Sequence, residues 1–446
     1  MELQIPPQVA AVLDALEQGG FEACLVGGCV RDSLLGKAPE DWDIATSARP
    51  EDAERALCGF RVLETGLKHG TVTALSGGLP VEVTAYRIDG RYSDGRHPDQ
   101  VAFTGSLQED LARRDFTVNA LAYSQKKGLV DCFGGRNDLE RKRIRCVGQP
   151  DRRFQEDGLR ILRALRFSSV LGFSIERETA RSLIRNRALL DRIARERIQS
   201  EFTKMICGKN AAQVMRKFRE VVAQFVPEIR PCFGFDQHNP HHRYDVWEHT
   251  LHCVESAPPE PVLRLTMFLH DIGKPGCFTR DAKGIGHFYG HASQSAELAQ
   301  TILKRLRYDK KTVRTVVELI RCHDLPLPPD ERFLRRRLNR LGEEKLRLLF
   351  QVAAADTMGK NQADRSRLET LKNAERLLDM ILTQEHCFSL SSLAVGGKDL
   401  LLEGIPEGPA VGDMLQTLLS AVIDGKCSNS RTELLQYIRQ LKGGHP

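Results

Sequence analysis

The sequence predicts an α+β fold, with a small mixed sheet confined to residues 1–137 and an almost wholly helical remainder. Two observations carry this. Short apolar runs bounded by glycine recur only early in the chain, and past Asp151 the apolar residues take helical spacing, as in Leu159, Leu162, Leu165 and Val170.

Residues 8–18 read as an amphipathic helix. Ala23-Cys-Leu-Val-Gly-Gly is a short buried strand ending in glycines, and Val30 to Leu35 opens a helix. Asp41-Trp-Asp-Ile-Ala is the next strand. Thr71–Leu75 and Val81–Tyr86, joined by Ser-Gly-Gly-Leu-Pro, form a β-hairpin. Two linkers interrupt the helical part, Ile229 to Pro240 and Leu325 to Pro328.

The 446 residues leave room for two to four domains, and 41% hydrophobic residues are enough for sizeable cores. The chain has no run of eighteen apolar residues, so no membrane span is expected. The start, Met1-Glu-Leu-Gln, has no basic and apolar signal pattern. Twelve scattered cysteines without a Cys-x-x-Cys pair argue against a zinc ribbon or disulfide framework, so they read as reduced thiols in a cytoplasmic protein. A net charge of +6 permits a polyanionic partner without requiring one. The arginines between Arg136 and Arg197, several at helical spacing, are the kind of stripe that follows a phosphate backbone.

Gly27 and Gly28 lie between a strand and a helix start, where backbone can approach an anion and Arg31 can reach a phosphate. Asp41 and Asp43 sit two apart on a strand and share a face. Two carboxylates side by side repel unless cations neutralise them, and paired Mg²⁺ ions do so at phosphoryl-transfer sites. A bare Asp-x-Asp is more often an exposed polar strand face. The glycine turn and arginine before it favour the metal reading. Glu82, on the hairpin, is the natural third carboxylate, and Arg114 is placed to clamp a triphosphate.

Asp157 and Arg160 are three apart, which places them on one helix face. A carboxylate accepts from an exocyclic amino group and a guanidinium donates to a ring nitrogen or carbonyl. Cytosine and adenine both offer an amino group beside a ring-nitrogen acceptor, so one such pair can read both bases without a nucleic-acid template. Arg163 and Arg166 continue the face toward phosphates.

Nine of thirteen histidines fall between His238 and His323. His270-Asp271 follows an apolar helix that carries both side chains toward a buried end. With His249 and Asp356 they can bind a divalent cation that activates water for phosphoester hydrolysis.

Three stretches together carry a resemblance: Leu25-Val-Gly-Gly-Cys-Val-Arg-Asp with Asp41-Trp-Asp-Ile-Ala-Thr, Arg113-Arg-Asp-Phe-Thr-Val-Asn-Ala, and Glu156-Asp-Gly-Leu-Arg-Ile-Leu-Arg-Ala-Leu-Arg-Phe. They resemble, in order, the bacterial class II CCA-adding tRNA nucleotidyltransferases of the polymerase-β-like superfamily. That resemblance implies a catalytic head at 1–137, a nucleotide-selecting neck at 138–230, and a tRNA-binding tail at 361–446. It implies Mg²⁺ on Asp41 and Asp43, and nucleotide contacts from Gly28, Arg31, Arg114, Asp157, Arg160, Arg163 and Arg166. The implied partners are CTP, ATP and the 3′ end of tRNA on its acceptor arm. Thr65–Val72 and the loop from Arg87 to Thr104 resemble the full CCA-adding members, with A-adding or CC-adding enzymes as the alternative. Trp247-Glu-His249, His270-Asp-Ile-Gly-Lys274, His291, His323-Asp and Asp356 resemble the HD phosphohydrolases over 240–360. This implies a second divalent metal on His249, His270, Asp271 and Asp356, with His291, His323 and Lys274 near a second metal or a phosphate.

Overall fold

The computed structural model describes residues 3–66, 70–90, 101–239, 244–360, 365–383 and 389–443. The tip of the Arg87–Thr104 loop, part of the Thr65–Val72 motif, and His241 and His242 lie outside the described residues. The chain divides into two compact units, residues 1–228 with 305–307, and residues 229–304 with 308–446.

The first unit opens with α1 (Pro7–Gln18), β1 (Ala23–Val26), α2 (Gly28–Leu34), β2 (Trp42–Thr46) and α3 (Pro50–Ala56). It continues with β3 (Arg61–Gly66), β4 (Thr71–Ser76), β5 (Leu79–Ala85), β6 (Arg87–Asp89), β7 (Val101–Phe103) and α4 (Leu107–Ala112). The last elements of its sheet region are β8 (Leu121–Ser124), β9 (Gly128–Asp131) and α5 (Gly135–Glu140). Seven strands form one sheet in the order β3-β4-β5-β2-β1-β8-β9. The β2–β5 pair is parallel and its other described pairs are antiparallel, so the sheet is mixed as expected. Both hairpin glycines, Gly77 and Gly78, have positive φ (56° and 82°), the conformation a two-residue turn between twisted strands requires.

The expected α+β architecture holds, with three corrections. First, strands do not stop at Asp151, because β10 (Arg143–Ile144) pairs in parallel with β11 (Ser174–Ile175). Both are two residues long, too short to leave a periodic signal. Second, Val170 is 41% exposed while Leu159, Leu162 and Leu165 are buried. Third, the stretch from Glu156 to Phe167 is not one helix. It is α6 (Pro150–Glu156), a break, and α7 (Leu159–Leu171). Asp157 is extended (φ −142°, ψ 106°), and its Oδ1 accepts the Leu159 N–H at 2.9 Å, which caps the second helix. A Cβ on Gly158 would stand 3.0 Å from Leu189 Cβ and 3.2 Å from its carbonyl oxygen, so the break sits where a larger residue fits only if Leu189 shifts. The unit finishes in helices α8 (Arg177–Arg185), α9 (Arg195–Ile206), α10 (Ala211–Lys217) and α11 (Arg219–Phe225).

The second unit is mainly helical. Its first helices are α12 (Val246–Ser256) and α13 (Pro261–Leu269), followed by the two-residue strands β12 (Thr279–Arg280) and β13 (Gly286–His287). Then come α14 (His291–Arg305), α15 (Lys310–Cys322), α16 (Glu331–Leu341), α17 (Glu343–Met358) and α18 (Arg365–Thr383). The chain closes on α19 (Gly397–Leu402), α20 (Pro409–Ile423) and α21 (Arg431–Gly443). The stretch read as a linker from Ile229 is instead packed, with a 3₁₀ turn over Pro227–Cys232 and buried Ile229, Cys232 and Gln237. Its Pro and Gly content signals irregular backbone, not exposure. No described helix is long and apolar enough to cross a membrane.

Candidate functional site

In the first unit one cleft of about 1050 Å³ is lined by Gly28, Arg31, Asp41, Asp43, Arg114, Asp157, Arg160, Arg163 and Arg166. The sheet positions its acidic end. Asp43 lies on β2, and Asp41 immediately precedes that strand. Glu82 on β5 is paired in register with Asp43 across the parallel ladder. The Asp43 carboxyl is raised to about 6, by burial first and by the charge of Glu82 next; Asp41 adds to this and Arg114 opposes it. The acids thus form a negative cluster short of cations, which fits a divalent metal better than an exposed polar strand face. Glu82 itself is exposed.

The glycine turn works through one arginine. Gly27 has φ +77°, and a Cβ there would stand 2.8 Å from Arg114 Nη1. The buried carboxylate of Asp110, on α4, accepts from both Arg113 (2.7 Å) and Arg114 (3.3 Å) and so aims the latter over the turn.

The other guanidiniums are tied into a chain of polar contacts. Arg31 Nη1 donates to Asn119 Oδ1 at 2.6 Å, and Asn119 Nδ2 donates to Asp115 Oδ1 at 3.1 Å. Arg163 Nε donates to Asp115 Oδ2 at 2.8 Å, and Arg166 pairs with Glu201 at 2.9 Å. Burial works against the Asp115 charge, yet Arg163 and its other partners hold its carboxyl at about 2. The Phe167 ring is bordered by three guanidinium carbons, of Arg31 (5.1 Å), Arg163 (5.3 Å) and Arg166 (4.2 Å). Arg163 and Arg166 are therefore held by acids on distant elements, and Arg31 by the adjacent Asp32 and the distant Asn119, so they do not form a free surface stripe. Removing the shared anchor should be costly. Asp115→Ala is expected to destabilise the fold by about 1–3 kcal/mol, the cost of taking the hydrogen-bonding carboxylate from a half-buried cation. It should also raise KM for CTP and ATP together, which chemical denaturation and steady-state kinetics would measure.

Asp157 and Arg160 are not partners. Asp157 pairs with Arg197 at 2.9 Å. The Arg160 head is fixed by Glu156 (2.9 Å) and by the Arg113 carbonyl (3.0 Å). Two separately anchored groups, one accepting and one donating, thus face the same cleft. Sequence reasoning missed Asp110, Arg197 and Glu201. Asp110 had a local signal, its i,i+3 and i,i+4 spacing to Arg113 and Arg114. Arg197 and Glu201 arrive from α9 with none.

The second unit gathers the predicted histidines. His249, Cys253, His270 and Asp356 form one group with donor atoms all within 4.8 Å of one another. His270, Asp271 and His323 form a second group, and His291, His323 and Asp324 a third. Three rings carry their proton on Nδ1. His270 donates it to the Met267 carbonyl (2.8 Å), His291 to Phe288 (2.8 Å) and His323 to Ile320 (2.7 Å). Each Nε2 is then the nitrogen directed into the cluster, the arrangement that backbone carbonyls impose on metal-binding histidines, and it offers its lone pair once a metal displaces any proton there. Nε2 of His249 and His270 are 3.3 Å apart, and those of His291 and His323 3.4 Å. Such pairs repel unless a cation or a proton stands between them. Burial opposes protonation of His270, but Asp271 beside it outweighs that and raises its pKa to about 10. Neither buried Asp271 oxygen accepts a hydrogen bond of good geometry. Lys274 Nζ lies 2.7 Å from Asp271 and donates to Gln237 Oε1 (2.9 Å), so it is bound up with the cluster's own carboxylate. The donor set fits a divalent cation. A cavity of about 370 Å³ opens over it, lined by Asp271, His291, His323, Asp324 and Asp356.

Comparison with known proteins follows the same division. Residues 23–145 match the poly A polymerase head domain, 172–232 the probable RNA and SrmB-binding site of polymerase A, and 278–438 the putative tRNA nucleotidyltransferase domain 2. The chain is 32% identical over 433 residues to a CCA-adding enzyme of Lactobacillus delbrueckii subsp. bulgaricus, covering 97% of each chain. It is 34% identical over 431 residues to that of Limosilactobacillus reuteri, covering 96% of this chain and 95% of the relative. The chain belongs to the CCA-adding enzymes. Among solved structures, the Bacillus stearothermophilus CCA-adding enzyme in complex with CTP superposes with a TM-score of 0.74, at 28% identity and 98% coverage of both chains. A Thermotoga maritima CCA-adding enzyme complexed with tRNA, at 20% identity and a TM-score of 0.61, shares the fold. Within this CCA-adding enzyme, the head match contains Asp41, Asp43, Glu82 and Arg114, and the RNA-binding match contains Arg197 and Glu201. Asp157 at the break and Arg160 on α7 fall between those two matches.

Proposed function

We propose that the cleft of the first unit adds C, C and A to the 3′ end of tRNA from CTP and ATP without a nucleic-acid template. The observation that carries this is Asp43, in register with Glu82 and next to Asp41, in a cleft that Asp41 and Asp43 share with Asp157 and Arg160. Membership of the CCA-adding enzymes supports the nucleotides and the RNA end.

Asp41 and Asp43, with Glu82 behind them, would hold Mg²⁺. When bound, the metal neutralises the triphosphate and makes the tRNA 3′-hydroxyl more acidic. Arg31 and Arg114, beside Gly28, receive the triphosphate, and Arg163 and Arg166 extend the cationic wall that accepts departing pyrophosphate. Asp157 accepts from the exocyclic amino group of cytosine or adenine, while Arg160 donates to the neighbouring ring nitrogen or carbonyl. Guanine and uracil present a carbonyl where Asp157 needs a donor. In this reading residues 1–137 are the catalytic head and 138–230 the selecting neck. Residues 361–446 are a tail that grips tRNA by shape, and the enzyme works in the cytoplasm. Incubation of the full chain with tRNA ending at the discriminator base tests this. CTP alone should add two residues, and ATP should then add one; uptake of ATP onto the unextended end would overturn it.

A second reading concerns residues 240–360 and rests on the three Nδ1-anchored histidines. That cluster binds a divalent metal and hydrolyses phosphoesters on RNA or nucleotide ends, with His249, His270, Asp271 and Asp356 as ligands. The full chain supplied in turn with Mg²⁺, Mn²⁺, Co²⁺, Ni²⁺ and Zn²⁺ should release phosphate or open a 2′,3′-cyclic phosphate. His270→Ala should lose this activity. An inert wild type under all five metals would refute the hydrolytic reading.

A further inference from the structure

Cys253 lies on α12 one helical turn after His249, so both side chains leave the same face. It is fully buried. Its Sγ is 3.5 Å from His249 Nε2 and 3.7 Å from His249 Nδ1. A thiol that only filled a gap would face apolar neighbours; this one faces an imidazole and belongs to a four-donor group with His249, His270 and Asp356.

The donor separations lie close to one coordination geometry, with His270 to Asp356 the longest. With metal–nitrogen, –oxygen and –sulfur bonds of about 2.0–2.3 Å, neighbouring donors of a tetrahedral ion are about 3.3–3.8 Å apart. The separations from His249 Nε2 are 3.3 Å to His270 Nε2, 3.5 Å to Cys253 Sγ and 3.2 Å to Asp356 Oδ1. His270 Nε2 to Asp356 Oδ1 is 3.9 Å. Asp271 Oδ2 also lies 3.3 Å from His249 Nε2 and 3.2 Å from His270 Nε2 but is held at 2.7 Å by Lys274, and its other oxygen contacts His291 and His323 at 3.4 and 3.7 Å. It therefore bridges this centre to the neighbouring donors, and the sulfur is the soft donor of the group that Cys253 forms with His249, His270 and Asp356.

We propose that Cys253 is a ligand of the buried centre and that the centre consequently takes a thiophilic divalent ion such as Zn²⁺ in preference to Mg²⁺. This deepens, and rests on, the reading of the cluster as a metal site. Binding releases the thiol proton to solvent and forms one metal–sulfur bond, with no change in oxidation state. A soft thiolate beside two imidazoles and a carboxylate suits Zn²⁺ or its spectroscopic substitute Co²⁺, whereas Mg²⁺ favours oxygen donors.

The test uses the full chain, stripped with chelator and titrated with Co²⁺ in the presence of excess Mg²⁺. The wild type should show the visible bands of tetrahedral cobalt together with a sulfur-to-cobalt charge-transfer band in the near ultraviolet. Cys253→Ser and Cys253→Ala should lose that near-ultraviolet band. They should also bind Zn²⁺ at least about 10–100-fold more weakly, the loss that even an outer-shell change produces. Far-ultraviolet circular dichroism checks that each variant is folded, and either variant suffices. Visible cobalt bands without the sulfur band, or Zn²⁺ affinity unchanged in a folded variant, would overturn the cysteine ligand and leave the metal site standing. No bound cobalt in the wild type would instead overturn the metal reading itself, and this inference with it.

Discussion

Asp43→Asn is expected to abolish nucleotide incorporation while leaving tRNA binding intact. The substitution keeps the shape of the side chain and removes the central charge of the Asp41–Asp43–Glu82 cluster. Metal-assisted charge stabilisation at such a site is worth several kcal/mol, so the rate should fall by about 10³-fold or more. Stability should move the other way. The Asp43 carboxyl is raised to about 6, so between its unfolded pKa and that value the native state binds more protons than the unfolded state. Stability from this group is therefore present at low pH and is lost as pH rises through about 6. In metal-free buffer at neutral pH, Asp43→Asn should raise Tm by a few degrees and abolish the Tm gain on adding Mg²⁺. Loss of tRNA binding, or a fall in Tm, would show that Asp43 is a structural residue and not a site for the cation.

Replacement of Asp157 is expected to relax the choice of base. Each well-placed pair of hydrogen bonds to a base edge discriminates by about 1–3 kcal/mol, so Asp157→Ala should bring UTP or GTP within about 10–100-fold of the correct nucleotides. The alanine also loses the cap on Leu159, so Asp157→Asn is the necessary companion. Its Oδ1 still accepts that N–H, while its amide, in the place where Oδ2 accepts from Arg197, gives up that pair and offers a donor to the uracil or guanine carbonyl. Competition assays with all four nucleoside triphosphates would read the change. Unchanged selectivity in a folded Asp157→Asn protein would remove Asp157 from the selecting role and leave it as the anchor of Arg197.

What was legible in the sequence was contiguous. The glycine turn, the Asp41–Asp43 pair and the Arg113–Ala120 run each sit within a few residues, and backbone periodicity alone places them. The α+β fold followed from the same local signals. The mixed sheet could be expected, but not that β8 lies against β1, because a four-residue apolar run carries no register of its own. The Asp157–Arg160 spacing was misread for a related reason. Helical spacing assumes a continuous helix, and the extended backbone of Asp157 interrupts it between Glu156 and Leu159. The anchors of the arginines were hidden likewise, since Glu201 and Arg197 are ordinary helix-surface residues until α9 packs against α7. In the second unit the histidine series was visible from composition. Cys253 was not, because buried cysteines are common as small hydrophobes and only the 3.5 Å approach to His249 sets this one apart.

The most direct test of the account is to sequence the products made on three tRNA substrates, ending at the discriminator base, at C and at CC, with CTP and ATP supplied together. The account predicts that all three converge on the same CCA end and stop there, because one cleft with one Asp157–Arg160 reading edge serves every step. A run of A residues, or extension of the CC-ending substrate alone, would contradict it.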